Sequence, residues 1–180
     1  MEIKDILYQA ISEYDEKRII SDIAQGESPV TIDAIFEHCL QSLDNAGENN
    51  PKTRGALAEG LIHYLLTLAL IPSQRKTVIQ SVDIDVAVPD DKTLSLSPGD
   101  AVVILFPKTS EPKEVKGQVD KLKKIQPKSE NIWVVADEPV HVEAKVYTLD
   151  RKEFTFSNII NDLISFLSDT KQSKLKIFRI

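Results

Sequence analysis

The stretch Ser81-Val82-Asp83-Ile84-Asp85-Val86-Ala87-Val88-Pro89 alternates apolar and polar residues, with the period of two expected of a β-strand. Its valines and isoleucine point to one face, and both aspartates point to the other. Two carboxylates on one strand face repel each other. They are tolerated at a solvated strand end, and they are also the oxygen ligands that Mg²⁺ or Mn²⁺ recruits. The stretch therefore predicts an acid-bearing strand, with a solvated end and a metal site as alternatives.

Three helices are predicted before this strand. Apolar residues recur at helical spacing over residues 3–25, and a second helix is expected from about Thr31, which can cap its N-terminus. The most apolar helix runs from about Thr53 to Leu70. Within it Glu59 interrupts an apolar strip, and a buried carboxylate is unfavourable unless it is paired or bound to a ligand. Pairing with Arg54 near the helix start is the alternative.

Strands and helices alternate in the rest of the chain. The predicted elements are one strand over 76–88, a short strand over 94–96, a central strand over 101–106, a helix over 112–125, strands over 131–136 and 143–149, a helix after Ser157 and a basic edge strand over 174–180. The unbroken apolar run of 101–106 is typical of a strand covered on both faces. This order predicts an α/β fold with a mixed central sheet flanked by helices.

Charge divides the chain near residue 50. Residues 1–50 hold 3 basic and 11 acidic residues, a net charge of −8, whereas residues 51–180 hold 19 basic and 17 acidic residues, a net charge of +2. Such asymmetry indicates separate elements. We expect residues 1–50 to form an acidic helical extension that contacts a protein partner or a second copy in a homodimer. Residues 51–180 would form the α/β domain.

The sequence also predicts where the protein works. A single cysteine, Cys39, excludes an internal disulfide framework and is typical of a reducing compartment. The N-terminus lacks a basic region followed by an apolar one. The longest apolar stretch, residues 61–71, is too short to span a bilayer. A soluble cytoplasmic protein with no membrane partner is therefore expected.

The helix with Glu59 and the following strand with Asp85 resemble the PD-(D/E)XK nuclease superfamily, and most closely its archaeal Holliday-junction-resolvase branch. The matching segments are Arg54-Gly55-Ala56-Leu57-Ala58-Glu59, Val82-Asp83-Ile84-Asp85-Val86-Ala87 and Ile104-Leu105-Phe106-Pro107-Lys108. The last falls where that family has an apolar strand ending in acid-x-lysine. The likeness covers roughly residues 52–137. It implies a restriction-endonuclease-like fold and DNA as the partner.

The resemblance also implies a site. In that family the strand aspartate and the acid of the acid-x-lysine step bind Mg²⁺, the lysine positions or activates the attacking water, and the helix glutamate assists the metal. Carried over, the catalytic residues would be Glu59, Asp85 and Lys108. The metal ligands would be Asp83, Asp85 and Glu59.

One position departs from the family pattern. Phe106 stands where the second acid is expected, and its side chain cannot bind a metal. Glu111 or Glu114 on the following helix are the candidates to replace that acid. We therefore expect an incomplete catalytic motif that binds Mg²⁺ weakly or not at all.

A basic segment lies between Lys108 and Lys128, with seven lysines against three acids. It is interpreted either as a solvated helix face or as a surface that contacts phosphates. In the second case the nucleic-acid-binding residues would be Lys113, Lys116, Lys123 and Lys124. The expected function is a non-catalytic nucleic-acid-binding or assembly subunit of nuclease fold. An active Mg²⁺-dependent DNA endonuclease with a rearranged site and a structural protein-interaction domain without nucleic-acid binding are the alternatives.

Overall fold

The structure, a computed structural model, describes the backbone of residues 2–177 and the side chains of residues 2–171. The helices are α1 (Ile3–Tyr14), α2 (Glu16–Ala24), α3 (Ser28–Ala46), α4 (Pro51–Leu68), α5 (Asp91–Leu96), α6 (Pro112–Leu122) and α7 (Ile159–Ile177). The strands are β1 (Gln74–Ile79), β2 (Val82–Val88), β3 (Val102–Leu105), β4 (Ile132–Ala136) and β5 (Lys145–Thr148). None of these helices is long and apolar enough to cross a membrane within the described part of the chain.

The five strands form one mixed sheet in the order β1-β2-β3-β4-β5. Neighbours are antiparallel from β1 to β3 and parallel from β3 to β5. The parallel pair β3 and β4 requires a crossover, which α6 provides. One hydrophobic cluster packs α1–α4 and α7 against the sheet, and a second packs α5 and α6 against it. The predicted α/β fold with a mixed central sheet and N-terminal helices is confirmed.

The single strand predicted over 76–88 is wrong, because this segment is part of a β-hairpin. Gln80 and Ser81 form its two-residue turn and have φ angles of 49° and 64°. Positive φ at both central positions gives the turn a twist that matches the two strands. Paired residues on either side place Lys76 opposite Asp85. The acidic strand therefore runs antiparallel to a basic one.

The short strand predicted over 94–96 is also wrong, since these residues end helix α5. The side chain of Asp90 accepts a hydrogen bond from the Thr93 amide at 2.6 Å, which caps the helix. The carboxylate of Asp91 accepts hydrogen bonds from Gln74 and Thr77 on β1. Capping and contact with β1 thus outweigh the alternation of apolar residues.

The N-terminal segment over 3–25 forms two helices rather than one, because Asp15, with a φ of 79°, interrupts the helical backbone. Thr31 does not cap a helix: α3 already begins at Ser28, with Pro29 in its first turn. Instead, the Thr31 hydroxyl donates to Asp22 at 2.9 Å.

The basic tail predicted as an edge strand is helical over residues 174–177, where α7 continues to Ile177. Residues 178–180 lie outside the described residues. The division into two domains at residue 50 stays a prediction. Helices from both sides of that boundary contribute to the first hydrophobic cluster, and a β-carbon on Gly60 of α4 would lie 3.0 Å from Leu7 of α1.

Candidate functional site

The site lies where β2 parts from β3. Strand β2 pairs with β1 between Val82 and Ala87, but it pairs with β3 only from Val86 to Val88. At Asp85, the residue before Val86, a side-chain hydrogen bond replaces the backbone pairing with β3. The Asp85 Oδ2 accepts a hydrogen bond from the Phe106 amide at 2.8 Å. This bond holds the Asp85 side chain at the end of β3, in the fork between the two strands.

The apolar residues of β2 do not share one environment. Val86 and Val88 belong to the first hydrophobic cluster, whereas Val82 and Ile84 belong to the second. The one-face prediction for these four residues is therefore wrong. The start of β2, which does not pair with β3, packs with residues of the α6 side.

Glu59 enters the site from α4 and is only 3% exposed. Its Oε2 lies 2.6 Å from the Lys108 Nζ. Lys108 follows β3 with a positive φ of 58° and packs directly on Gly55, one turn before Glu59. A β-carbon on Gly55 would lie 2.9 Å from the Lys108 Cγ and 3.3 Å from its Cα. The glycine is thus what allows the lysine to approach α4 this closely.

Lys76 of β1 joins the two carboxylates. Its Nζ lies 2.7 Å from Glu59 Oε1 and donates a hydrogen bond to Asp85 Oδ1 at 3.1 Å. Arg75 adds a weaker contact, with its NH2 group 3.6 Å from Glu59 Oε1. The cluster therefore holds two carboxylates and three cations, which we call the fork cluster: Glu59, Asp85, Arg75, Lys76 and Lys108.

These contacts shift the pKa values of the fork cluster. Burial alone would raise the pKa of Glu59, but the ammonium groups of Lys108 and Lys76 outweigh it and hold that pKa below its usual 4.5. Burial likewise disfavours the charged form of Lys76, yet Glu59 and Asp85 raise its pKa above 10.5. Both groups are therefore charged at neutral pH.

The structure brings together three of the residues selected from the sequence, namely Glu59, Asp85 and Lys108. Asp83 lines the same pocket as Asp85, a cavity of about 360 Å³, but it is exposed. The predicted alternative that Glu59 pairs with Arg54 is wrong, because Arg54 binds the carboxylate of Asp137 instead.

Phe106 packs inward at the position expected to carry the second acid. Its side chain is 3% exposed and belongs to the first hydrophobic cluster. Glu111 and Glu114 are exposed and are not among the residues that line the pocket. From α6, Gln118 and Lys121 line it instead. The Gln118 Oε1 is buried without a hydrogen-bond partner.

As folded, this donor set does not fit a divalent metal. Among the described residues, no group of three or more His, Cys, Asp or Glu side chains is placed to hold a metal. Both oxygens of Glu59 face lysine ammonium groups, and both oxygens of Asp85 accept hydrogen bonds from Lys76 and the Phe106 amide. A cation entering this site would have to displace a protein group.

Sequence reasoning missed Arg75 and Lys76. The signal that could have found them is the register of the hairpin, which places Lys76 opposite Asp85. Such a cross-strand pair of opposite charges stabilises antiparallel strands. The hairpin could not be recognised from the sequence, because its turn at Gln80 and Ser81 contains neither glycine nor asparagine. These are the usual residues of a two-residue turn with positive φ.

The predicted lysine surface of α6 is partly neutralised by neighbouring acids. Lys116 pairs with Asp120 at 3.0 Å, and Lys123 binds Glu143. Lys113 and Lys124 are exposed.

A second buried ion pair supports the segment that carries Lys108. Arg54 at the start of α4 donates two hydrogen bonds to Asp137 after β4, at 2.5 and 2.7 Å. Ser110 donates to the same carboxylate at 3.0 Å. The network fixes the segment after β3 to both α4 and the end of β4, so it helps to position Lys108 against Glu59.

No protein-family model matches the sequence, and no curated protein matches it. Among solved structures, the chain is similar to the restriction endonuclease PspGI in a complex with substrate DNA, with a TM-score of 0.62 and 15% identity over 94% of each chain. It also matches a metal-depleted Ecl18kI in complex with uncleaved, modified DNA. That match has a TM-score of 0.43 and 14% identity, and covers 93% of this chain and 62% of the other. On the PspGI comparison, the chain has a restriction-endonuclease-like fold.

Proposed function

We propose that this chain is a nuclease-fold protein that binds DNA without cleaving it, either alone or as a subunit of an assembly. The observation that carries the proposal is the fork cluster itself. Glu59 and Asp85 are neutralised by lysines, and the position of the second acid is filled by the buried Phe106. Without a well-held metal, the main means of activating water for phosphodiester hydrolysis is missing.

DNA is the proposed ligand for two reasons. The similar structure of PspGI is a complex with substrate DNA, and basic side chains lie next to the fork. Lys121 lines the pocket beside Asp85, and Lys113 and Lys124 are exposed on or next to the same helix. Lysines at such a surface bind phosphates by releasing condensed counterions from the DNA.

An active endonuclease is the second candidate. The observation that favours it is the convergence of Glu59, Asp85 and Lys108, the three residues to which the family resemblance assigns catalysis. In that case a rearrangement on DNA binding would have to free the carboxylates.

The assembly role is supported by the acidic N-terminal helices. They expose three large apolar side chains: Tyr8, Ile20 and Val30 are 60%, 45% and 52% exposed. We propose these helices as the contact with a protein partner or with a second copy of the chain.

The test is DNA binding measured across salt concentrations in EDTA, with wild type and the variant in which Lys113, Lys116, Lys123 and Lys124 are replaced by alanine. Each lost phosphate contact should flatten the slope of log affinity against log salt by about 0.9. The matched control replaces four exposed lysines elsewhere, Lys4, Lys17, Lys92 and Lys152, with the same total charge change.

The same proteins are then incubated with branched, single-stranded and duplex DNA in Mg²⁺. We expect binding without cleavage. An unchanged salt slope in the four-lysine variant would remove α6 as the contact. Cleavage that is lost in both Asp85→Ala and Lys108→Ala would replace the proposal with the endonuclease.

A further inference from the structure

We propose that the Lys76 ammonium takes the place that a divalent cation would hold between Glu59 and Asp85, so that a side chain of the protein itself neutralises the two carboxylates. The inference deepens the proposed function. It rests on that function only where DNA is concerned.

The contacts of Lys76 are those of a bridging cation. One ammonium group touches an oxygen of each carboxylate, at 2.7 Å from Glu59 and 3.1 Å from Asp85. Lys108 contacts Glu59 through the other oxygen. A divalent ion with few protein ligands is usually held by one or two carboxylates. Here the oxygens that would supply such a bridge face Lys76 instead.

The hairpin places Lys76 at this point. The pairs on either side place it opposite Asp85, and its backbone has a φ of 50°, a left-handed conformation that is unfavourable for a residue with a side chain. Such strain persists only where surrounding structure holds it, and it often marks functional sites. The paired residues Arg75 and Thr77 hold the backbone on either side.

The charge of the cluster supports the same conclusion. Two carboxylates facing a DNA backbone would repel its phosphates unless a cation lay between them. With Arg75, Lys76 and Lys108, the cluster has one more positive than negative charge. The Lys76 side chain is also 54% exposed, so its ammonium remains in contact with solvent while it binds both acids.

The first measurement is Mn²⁺ binding by calorimetry, without DNA, in wild type and in Lys76→Met and Lys76→Gln. Removing a positive charge next to both carboxylates should strengthen Mn²⁺ binding by about tenfold or more, to one ion per chain. Lys76→Arg keeps the charge and should behave like wild type. Lys116→Met removes an exposed lysine that pairs with Asp120, and it is the matched control.

Two results of the calorimetry would overturn the inference. One is Mn²⁺ binding by wild type that is as tight as that of Lys76→Met and Lys76→Gln. The other is a lack of Mn²⁺ binding in both Lys76→Met and Lys76→Gln when circular dichroism shows them folded. Wild type also provides a readout without substitution: its melting temperature should be the same in EDTA and in millimolar Mn²⁺, because a ligand that binds the native state would raise it. A rise would equally overturn the inference.

DNA binding separates this inference from the proposed function. Wild type should bind DNA equally in EDTA and in Ca²⁺, whereas Lys76→Met should lose affinity in EDTA and recover it in Ca²⁺. Ca²⁺-dependent binding by wild type would contradict the inference alone. If wild type binds no DNA in either solution, the proposed function fails, and Mn²⁺ binding still decides the role of Lys76.

Discussion

Two buried carboxylates in this protein, Glu59 and Asp137, are neutralised in different ways. Asp137 is 6% exposed and is bound by the rigid, planar guanidinium of Arg54, with Ser110 as a further donor. Glu59 is 3% exposed and faces three separate cations, of which Lys76 extends from solvent. The guanidinium group of Arg54 has a fixed geometry, whereas the ammonium group of a lysine is a point charge on a flexible chain. The first arrangement is therefore expected to be the more rigid of the two.

The comparison predicts its largest effect at Arg54. Replacing Arg54 with methionine leaves Asp137 buried with Ser110 as its remaining side-chain donor. Removing one partner of a buried pair costs about 3 kcal/mol, which lowers the melting temperature of a chain of this size by about 6–12 °C. Lys76→Met should cost much less, since Lys108 and Arg75 still face Glu59.

Thermal unfolding of the two variants checks this difference. The control is Arg151→Met, which removes half-exposed pairs with Glu37 and Asp44 and should change the stability by less than about 1 kcal/mol. Equal losses for Arg54→Met and Lys76→Met would show that both buried acids are held in the same way.

A smaller effect is expected at Gly55. In Gly55→Ala the new methyl group would meet Lys108 Cγ at 2.9 Å, so Lys108 must shift from its position against α4. The strain should outweigh the gain in helix propensity and leave a net loss of about 1 kcal/mol. Urea unfolding measures this loss.

Gly117→Ala on α6 is the matched control, because a β-carbon there meets no atom within 4 Å. It should raise the stability by about 0.5–1 kcal/mol. A gain of the same size in Gly55→Ala would show that Lys108 adapts without strain and that the close approach to α4 is unimportant.

The smallest expected effect is on the free energy of unfolding at acidic pH. Because the folded pKa of Glu59 is below 4.5, its contribution to stability is present above pH 4.5 and is lost as the pH falls through the folded pKa. Glu59→Gln should therefore show a shallower fall in stability than wild type below pH 4.5, and the two curves should differ by on the order of 1 kcal/mol or less. The contribution of Lys76 is lost only as the pH rises above 10.5, so it does not affect the stability near neutrality.

Urea unfolding from pH 3 to pH 7 provides the measurement. Glu114→Gln changes the same charge at an exposed position and should follow the wild-type curve. If Glu59→Gln also follows that curve, the lysines do not stabilise the ionised form of Glu59.

The sequence alone predicted the fold class and three members of the fork cluster. Helix α4 could be found because its apolar residues cover most of its surface, and β3 because an unbroken apolar run is typical of a covered strand. Glu59 stood out as an acid within an apolar strip and Asp85 through alternation, whereas Lys108 was selected only through the family resemblance. The signals for α4, β3, Glu59 and Asp85 are local, so they are visible without knowing which segments meet.

Tertiary structure decided the chemistry of the cluster. The turn at Gln80 and Ser81 gives no composition signal, yet it reverses the chain and brings Lys76 against Asp85. The approach of Lys108 to Gly55 depends on the packing of the segment after β3 against α4. Whether a carboxylate is free to bind a metal depends on which cations surround it in space, and residues distant in sequence supply those cations.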